Sequence, residues 1–210
     1  MIDLFVATTN IGKLTEIQAF LEHLPIRIIS LSDLQDPPAV AEDGQSFEEN
    51  ALKKARTLAE WSGYRTLADD SGLEVDALNG KPGILSARFS GVEGDDAANN
   101  SKLLEELSEV PEEKRTARFV CALALCAPTS LSGKQCIARG SCEGLIGFAA
   151  KGKNGFGYDP LFFFPRLNRT FGEIDQQTKI TISHRGKALK NLVEVLPACF
   201  DPLKNLDLVR

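Results

Sequence analysis

The sequence predicts a mixed α/β fold, and two patterns along the chain support this prediction. Residues 4–7 form a short apolar strand pattern, and from Lys13 onward apolar residues recur every three or four positions, as on one face of a helix. Later, residues 116–126 form the longest strand pattern, and residues 135–142 follow it across a turn with proline and glycine. A strand and helix at the start, combined with an antiparallel strand pair, indicate a mixed sheet.

The length and charge of the chain limit the classes of function. Its 210 residues suffice for a substantial core, and we expect residues 1–210 to form a single domain. The formal net charge of −5 offers no general attraction for nucleic acid or anionic membranes, so neither is an expected partner. Because the sequence has no signal-peptide pattern and no apolar run long enough for a bilayer, the expected location is the cytoplasm.

The cysteines do not predict a metal site. None of them forms a CxxC pair, and the sequence has only two histidines, so a zinc framework is not expected. Most of them lie in apolar runs, which predicts buried thiols in a reducing compartment. The five are Cys121, Cys126, Cys136, Cys142 and Cys199.

The junction between the first strand and the first helix is the first candidate site. A helix N-terminus presents N–H groups without intrahelical partners and the positive end of the helix dipole, so this junction suits a phosphate group. Capping of the helix by threonine or asparagine explains the same residues equally well. The residues are Thr8, Thr9, Asn10, Ile11, Gly12 and Lys13.

A second strand and a second helix follow. Residues 27–31 predict the strand, and after a polar loop Ser46 and Glu49 form a capping-box pattern at the start of a helix that extends to about residue 62. Lys54 lies one helical turn after Asn50 on this helix. Considered with the helix alone, Lys54 is expected to be a solvated lysine.

Two adjacent carboxylates, Asp69 and Asp70, follow a short apolar run and precede a predicted Ser-Gly turn. Neighbouring carboxylates repel each other, so they are tolerated at a strand end where a cation, a metal ion or a polar turn offsets the repulsion. The isolated tetrapeptide Asp-Asp-Ser-Gly is explained by a solvated turn. It becomes a candidate metal site if the rest of the chain supplies groups that bind phosphate.

The middle of the chain predicts a turn, a helix and a strand. A glycine- and proline-containing turn leads to Arg88, which is expected to be buried. Asp95 and Asp96 are placed to cap a helix whose apolar face uses leucines at residues 103–107. Residues 161–164 predict another strand.

A glycine-rich loop and a final helix complete the chain. Phe156 has glycine on both sides in the loop at residues 151–160, which leaves its ring unobstructed and suits stacking on a planar ligand. A hairpin-like turn with one aromatic residue in the core is the alternative. His184 and Arg185 begin the last helix, where a cation is electrostatically unfavourable unless an anionic or acceptor-rich partner is present.

Taken together, six motifs of this sequence resemble the inosine/xanthosine triphosphate pyrophosphatase (ITPase) family. The resemblance implies a mixed α/β fold with a long central sheet flanked by helices, two lobes with a nucleotide cleft between them, and a homodimer. It also implies hydrolysis of ITP, dITP or XTP to the nucleoside monophosphate and pyrophosphate. The motifs occur in family order at residues 7–13, 47–55, 68–73, 82–88, 155–160 and 183–189.

The resemblance also implies roles for individual residues. Glu42 and Asp70 would bind Mg²⁺, and Asp70 would activate a water molecule. The supporting residues would be Asp69, Lys54 and Asn50, of which Asp69 and Lys54 are expected to be catalytic. The phosphates would contact residues 8–13. The rest of the nucleotide would be bound by Ser71, Phe156, Gly157, Tyr158, Asp159, Lys179, His184 and Arg185.

Elementary chemistry is consistent with these roles. Mg²⁺ prefers a few carboxylate oxygens together with water and phosphate oxygens. Donors from His184 and Arg185 match the carbonyl at position 6 of hypoxanthine or xanthine, whereas adenine presents an amino donor there. The alternatives are a pyrophosphatase for other modified or pyrimidine nucleotides and a nucleotide sensor without catalytic activity.

Overall fold

The computed structural model describes residues 1–199 of the chain, with side chains to residue 196. The bounds of its strands and α-helices are β1 (Ile2–Ala7), α1 (Ile11–Leu21), β2 (Ile26–Ser30), α2 (Phe47–Ser62), β3 (Arg65–Val75), α3 (Asp96–Glu106), β4 (Thr116–Cys126), β5 (Gln135–Ile146), β6 (Phe162–Phe164), β7 (Arg169–Thr170), α4 (Gln176–Ile182) and α5 (His184–Cys199).

The strands form one mixed sheet in the order β2-β1-β3-β4-β5-β6-β7. β1 pairs in parallel with both β2 and β3. At the other end of the order, β6 pairs antiparallel with β5 and with β7. The predicted mixed α/β fold is therefore confirmed.

The chain divides into two compact units. The first contains residues 1–70, 121–140 and those from 185 onward, and the second contains residues 71–120 and 141–184. β3, β4 and β5 each contribute residues to both units. The expected cleft between two lobes and the single domain over residues 1–210 stay predictions.

Each unit has its own apolar core. The core of the first unit contains side chains of β1, β3, β4 and β5 together with the apolar faces of α1 and α5. The core of the second unit contains the remaining parts of β3, β4 and β5, the leucines of α3, and a group of aromatic rings around Phe162 and Phe171. Burial of these faces explains the apolar periodicity of the sequence.

The predicted helix starts are confirmed. Asn10 caps α1, because its side chain accepts a hydrogen bond from the Lys13 N–H at 3.0 Å. Ser46 caps α2 by accepting from the Glu49 N–H at 3.1 Å. Glu49 does not complete the predicted capping box, since its carboxylate accepts from the Gln45 N–H instead.

Two further predictions about local structure were wrong. The residues from Asp69 to Gly72 lie inside β3 and do not form a turn. Successive side chains of a strand point to opposite faces, so the two carboxylates point in different directions and have different hydrogen-bond partners, although the charge of Lys13 acts on both. Arg88 is only partly buried, whereas the arginines buried in the described residues are Arg115 and Arg185.

The cysteine prediction is confirmed for four of the five thiols. Cys121, Cys126, Cys136 and Cys142 are buried and form no disulfide, while the side chain of Cys199 lies outside the described residues. Within residues 1–199, no helix has the length and apolar character needed to cross a membrane.

Candidate active site

Asp69 lies in the first unit between two cations. Its Oδ1 is 2.6 Å from Lys13 Nζ, and its Oδ2 accepts a hydrogen bond from Arg185 Nε at 2.7 Å. The Cys121 thiol also donates to Oδ2, at 3.2 Å. Burial would raise the pKa of Asp69, but attraction to Arg185 and Lys13 outweighs it and holds that pKa well below its usual range. Asp69 is therefore an ionised carboxylate whose charge is neutralised inside the protein.

Arg185 is positioned by a second carboxylate. Its Nη1 donates to Glu16 of α1, and Glu16 is itself buried. The guanidinium side chain is 1% exposed and lies against two carboxylates. The family resemblance implies that Arg185 binds the nucleotide, whereas its described hydrogen bonds in the structure go to Glu16 and Asp69.

Asp70 is the next residue of β3, but its carboxylate is not held between two cations as that of Asp69 is. Its side chain is buried, and its Oδ2 has no hydrogen-bond partner among the described residues. Burial raises the pKa of Asp70, and attraction to Lys54 and Lys13 offsets this only in part. A buried carboxylate with a raised pKa and an available oxygen suits a group that accepts a proton or binds a metal ion.

Lys54 of α2 contacts both Glu42 and the backbone of Asp69. Its Nζ lies 2.6 Å from Glu42 Oε1 and donates to the Asp69 carbonyl oxygen at 2.8 Å. The side chain is 14% exposed, so the expectation of a solvated lysine from the helix alone was wrong. The tertiary structure turns Lys54 toward the acids because the loop before α2 brings Glu42 to it.

Asn50 connects this loop to the site. Its Oδ1 accepts from the Gly44 N–H at 2.8 Å, and its side chain also forms a hydrogen bond with Asp70 that lowers the pKa of the carboxyl group. Asn50 is buried on α2, one turn before Lys54. A single helix therefore places both an amide and an ammonium group beside the two aspartates.

The β1–α1 junction lies in the same unit. Thr8 Oγ1 accepts from the Asn10 N–H at 3.1 Å, and Lys13 leaves the first turn of α1 toward Asp69. The ammonium group of a lysine has three donors, and the ion pair with Asp69 needs one of them. Thr9, Asn10 and Ile11 are exposed, and their contact with a phosphate stays a prediction.

The donor set fits a hard divalent cation. Asp70 supplies a buried carboxylate oxygen without a described partner, and Glu42 supplies a second carboxylate. No group of three or more His, Cys, Asp or Glu side chains in residues 1–199 is arranged to hold a metal. Mg²⁺ does not need one, because it keeps several waters and takes phosphate oxygens as ligands.

The second unit contains the glycine-rich loop. Phe156 is partly exposed, and its N–H donates to Asp159 Oδ2 at 2.8 Å. Lys179 forms a buried ion pair with the same oxygen at 2.5 Å, and its ammonium nitrogen lies 4.7 Å from the centre of the Phe156 ring. The loop thus presents one aromatic ring beside a cation, consistent with stacking on a planar ligand.

The remaining predicted residues of this unit lie deeper. Tyr158 is buried in the core, where its hydroxyl donates to the Ser86 carbonyl at 2.9 Å. The imidazole of His184 stacks on Phe119, with ring centroids 4.7 Å apart. Ser71 is partly buried in β3, directly after Asp70.

Two contributors were missed in the sequence. Glu16 lies on the buried face of α1, where an acid breaks the apolar pattern, and this break was the available signal. The sequence predicts only a buried apolar role for Cys121, although its thiol contacts Asp69. Neither partner could be identified from sequence spacing, because Glu16 and Arg185 are 169 positions apart.

Comparisons with known proteins show which family the chain resembles. A model described as the Ham1 family matches residues 4–195. A protein of Exiguobacterium sibiricum named dITP/XTP pyrophosphatase is 52% identical over 193 residues, which are 92% of this chain and 96% of that protein. A protein of the same name from Geobacter sulfurreducens is 52% identical over 196 residues, covering 93% and 97% of the two chains.

The chain is also similar to solved structures with related names. A HAM1 protein from Coxiella burnetii superimposes with a TM-score of 0.83 at 41% identity, covering 95% of this chain and 100% of that one. A nucleoside-triphosphatase or dITP/XTP pyrophosphatase from Mycobacterium abscessus has a TM-score of 0.73 at 46% identity, covering 91% and 98% of the chains.

Proposed function

The chain belongs to the Ham1 family, and we propose that it hydrolyses deaminated purine nucleoside triphosphates such as dITP and XTP to the monophosphate and pyrophosphate. The resemblance carried by the six sequence motifs is confirmed by this membership. The relatives named dITP/XTP pyrophosphatase support the substrate class. The observation that carries the chemistry is the contrast between Asp69, which is neutralised by cations, and Asp70, which retains an available carboxylate oxygen.

In the proposed reaction, Asp70 accepts a proton from a water molecule that attacks the α-phosphorus. A bond forms between this water oxygen and the α-phosphorus, the bond from the α-phosphorus to the bridging oxygen breaks, and pyrophosphate leaves. The raised pKa of Asp70 makes its carboxylate a stronger proton acceptor than an exposed aspartate. Lys13 and Lys54 supply local positive charge for the phosphates in a protein whose net charge is −5.

Mg²⁺ is the proposed cofactor, and Glu42 and Asp70 are the residues that would hold it. When bound, it would offset the negative charge that accumulates on the phosphate oxygens and the departing pyrophosphate. The homodimer and the cytoplasmic location implied by the resemblance are proposals of the same kind.

The nucleobase is proposed to contact the loop of the second unit. The Phe156 ring offers a stacking surface, and Lys179 places a donor beside it. A donor satisfied by the 6-oxo group of hypoxanthine or xanthine would face an amino group in adenine, and a buried donor without a partner costs about 1–3 kcal/mol, or roughly ten- to a hundredfold in selectivity. The predicted contacts of His184 and Arg185 with the nucleobase are part of this proposal.

Pyrophosphate release tests the function directly. Purified protein is incubated with dITP, XTP, ITP, GTP or ATP, with Mg²⁺ or with EDTA, and pyrophosphate and the nucleoside monophosphate are quantified. We expect rapid hydrolysis of dITP, ITP and XTP with Mg²⁺, at least about tenfold slower hydrolysis of ATP, and loss of activity in EDTA.

The matched variant is Asp70→Asn, which keeps the size of the side chain but cannot accept the proton. Its kcat should fall by about 10²-fold or more, while circular dichroism and the unfolding temperature show a folded protein. Near-normal turnover by folded Asp70→Asn would remove Asp70 from the mechanism. Equal rates on ATP and ITP would refute the selectivity, and ITP binding without turnover would identify a nucleotide sensor.

A further inference from the structure

The backbone of the glycine-rich loop is held by a helix outside the six motifs. The Gly157 N–H donates to Asp96 Oδ2 at 2.6 Å, and the Gly157 carbonyl accepts from Asn100 Nδ2 at 2.8 Å. Asp96 is the first residue of α3, and Asn100 lies one turn later on the same helix. Both polar groups of one residue in the loop are therefore bound by side chains of α3.

These contacts continue a series that surrounds Phe156. The Phe156 N–H donates to Asp159 Oδ2, and the Phe156 carbonyl accepts from the Asp159 N–H. The N–H and the carbonyl of Gly157, which follow, are bound by α3. The backbone is thus fixed immediately before and immediately after the Cα atom that carries the aromatic ring. Gly157 has a φ of +61°, a conformation that glycine leaves easily unless other contacts restrain it.

The glycine-rich loop is also anchored to the core, through Tyr158. The Tyr158 ring is buried, and its hydroxyl donates to the Ser86 carbonyl. Burial raises the pKa of Tyr158, and the Asp96 carboxylate raises it further, in keeping with a carboxylate held close to the loop. Asp96 itself is exposed, so a change of its side chain removes little buried surface.

We propose that Asp96 is a positioning residue for the nucleobase, because its carboxylate holds the Gly157 backbone and so fixes the orientation of the Phe156 ring. This inference rests on the proposed function, since it assumes that Phe156 stacks on the nucleobase. Asn100 has the same role at the Gly157 carbonyl. Neither residue touches the reacting phosphates in this assignment, so both act on substrate binding and not on the chemical step.

The neighbour of Asp96 provides a matched control. Asp95 caps α3, with its Oδ1 accepting from the Ala98 N–H at 2.9 Å, and its side chain has no described contact with the loop. Asp95→Ala and Asp96→Ala both remove one carboxylate from the start of α3, and Asp95→Ala also removes the N-cap hydrogen bond, so it disturbs the helix at least as much as Asp96→Ala does. Only Asp96→Ala removes the hydrogen bond to Gly157. Asp96→Asn keeps an acceptor oxygen and serves as the conservative variant.

The experiment compares ligands with and without a nucleobase. For wild type and the variants, we would measure kcat and KM for dITP, inhibition by inorganic tripolyphosphate, and the affinity for dIMP by calorimetry. We expect Asp96→Ala to raise KM for dITP and the Kd for dIMP about tenfold, with kcat within about twofold and inhibition by tripolyphosphate unchanged. Asp96→Asn should restore most of the affinity, Asp95→Ala should resemble wild type, and Asn100→Ala should resemble Asp96→Ala.

Several results would overturn the assignment. One is an unchanged affinity of Asp96→Ala for dITP and dIMP. Another is a loss of affinity in Asp95→Ala as large as that in Asp96→Ala. A third is a loss of tripolyphosphate inhibition in Asp96→Ala as large as its loss of dIMP affinity, which would indicate a general structural effect. If Asp96→Ala does not fold, Asp96→Asn and Asn100→Ala decide the question by the same criteria. If the wild-type protein releases no pyrophosphate, the proposed function fails, but calorimetry with dIMP still tests the role of Asp96. If the wild-type protein also does not bind dIMP, the assignment of Asp96 is refuted as well.

Discussion

Asp69 and Asp70 show how adjacent residues of identical chemistry acquire different properties. Asp69 contacts Lys13 and Arg185, so its charged form is favoured despite complete burial. Asp70 is also buried, but the attraction of Lys54 and Lys13 offsets only part of the cost of burying its charge. Its neutral form is therefore favoured relative to that of an exposed aspartate. At the scale of the residue, the division into a neutralised acid and an available acid follows from the alternation of side chains along β3.

The two aspartates should have opposite effects on stability as pH changes. The folded-state pKa of Asp70 is raised above its ordinary value of 3.8, so its stabilising contribution is complete below that value and is lost as pH rises through the folded-state pKa. Asn cannot ionise. Asp70→Asn should therefore gain stability relative to wild type as pH rises through this window, measured by urea unfolding in EDTA.

Asp69 is the counterpart in the same experiment. Its folded-state pKa is lowered, so its contribution is present above 3.8 and is lost as pH falls through the folded-state pKa. Asp69→Asn leaves Arg185 and Lys13 without this carboxylate and should cost about 3–5 kcal/mol at neutral pH, with a smaller deficit in acid. A deficit of equal size at every pH, or parallel behaviour of the two variants, would contradict the assignment of the two environments.

At the scale of the element, α2 is the main scaffold of the first unit's site. Its N-terminal half carries Asn50 and Lys54, and its N-terminus is joined to the loop that contains Glu42. Gly44 lies between them, with its N–H bound to Asn50 Oδ1. The position of Glu42 relative to Lys54 therefore depends on close contact between this loop and the first turns of the helix.

Gly44→Ala should disturb that contact. A Cβ atom at this position would lie 2.7 Å from Asn50 Oδ1 and 2.9 Å from Glu49 Cβ, so the loop or the Asn50 side chain must move. We expect kcat/KM for dITP to fall roughly ten- to a hundredfold, as for other small displacements of catalytic groups, together with weaker activation by Mg²⁺. Steady-state kinetics over a Mg²⁺ titration would measure both effects.

Gly63→Ala is the control at the other end of α2. Gly63 ends the helix with a φ of +73°, and an added Cβ meets nothing within 4 Å. This variant should lose about 1 kcal/mol of stability, because an L-residue is strained in the left-handed region. That loss corresponds to about 2–4 °C in unfolding temperature, and kcat/KM should be unchanged. If both glycine variants lost activity in proportion to stability, the loop contact would have no special role.

At the scale of the whole molecule, two cores are built on shared strands. Leu67 belongs to the core of the first unit and Leu73 to that of the second, yet both lie on β3. β4 and β5 likewise supply residues to both cores. Loss of order in either core therefore releases strands that the other core requires, which favours a single cooperative unfolding transition.

Leucine truncation tests this cooperativity. Leu67→Ala and Leu73→Ala each remove a buried side chain and should cost about 2–5 kcal/mol, or roughly 5–15 °C in unfolding temperature. Differential scanning calorimetry should show one transition in wild type and one shifted transition in each variant. Two transitions, of which each variant moves only one, would show instead that the units unfold independently.

The order of helices and strands could be predicted from the sequence because local rules decide it. Apolar periodicity located α1, α2 and β4, and capping residues located the starts of the helices. Lys13, Lys54 and the two aspartates could be selected as candidates by residue type, since few side chains bind phosphates and magnesium. The resemblance of the motifs added the substrate class.

The pairing of charges required the folded chain. Asp69 and Arg185 are 116 positions apart, and no periodicity predicts that Arg185 leaves solvent to lie beside Asp69 and Glu16. The strand conformation of Asp69 and Asp70 was likewise missed, because the turn propensity of Asp-Asp-Ser-Gly is local and the pairing of β3 with β1 is not. Burial and attraction between charges depend on distances across the chain, so the different roles of the two acids arise only in the tertiary structure.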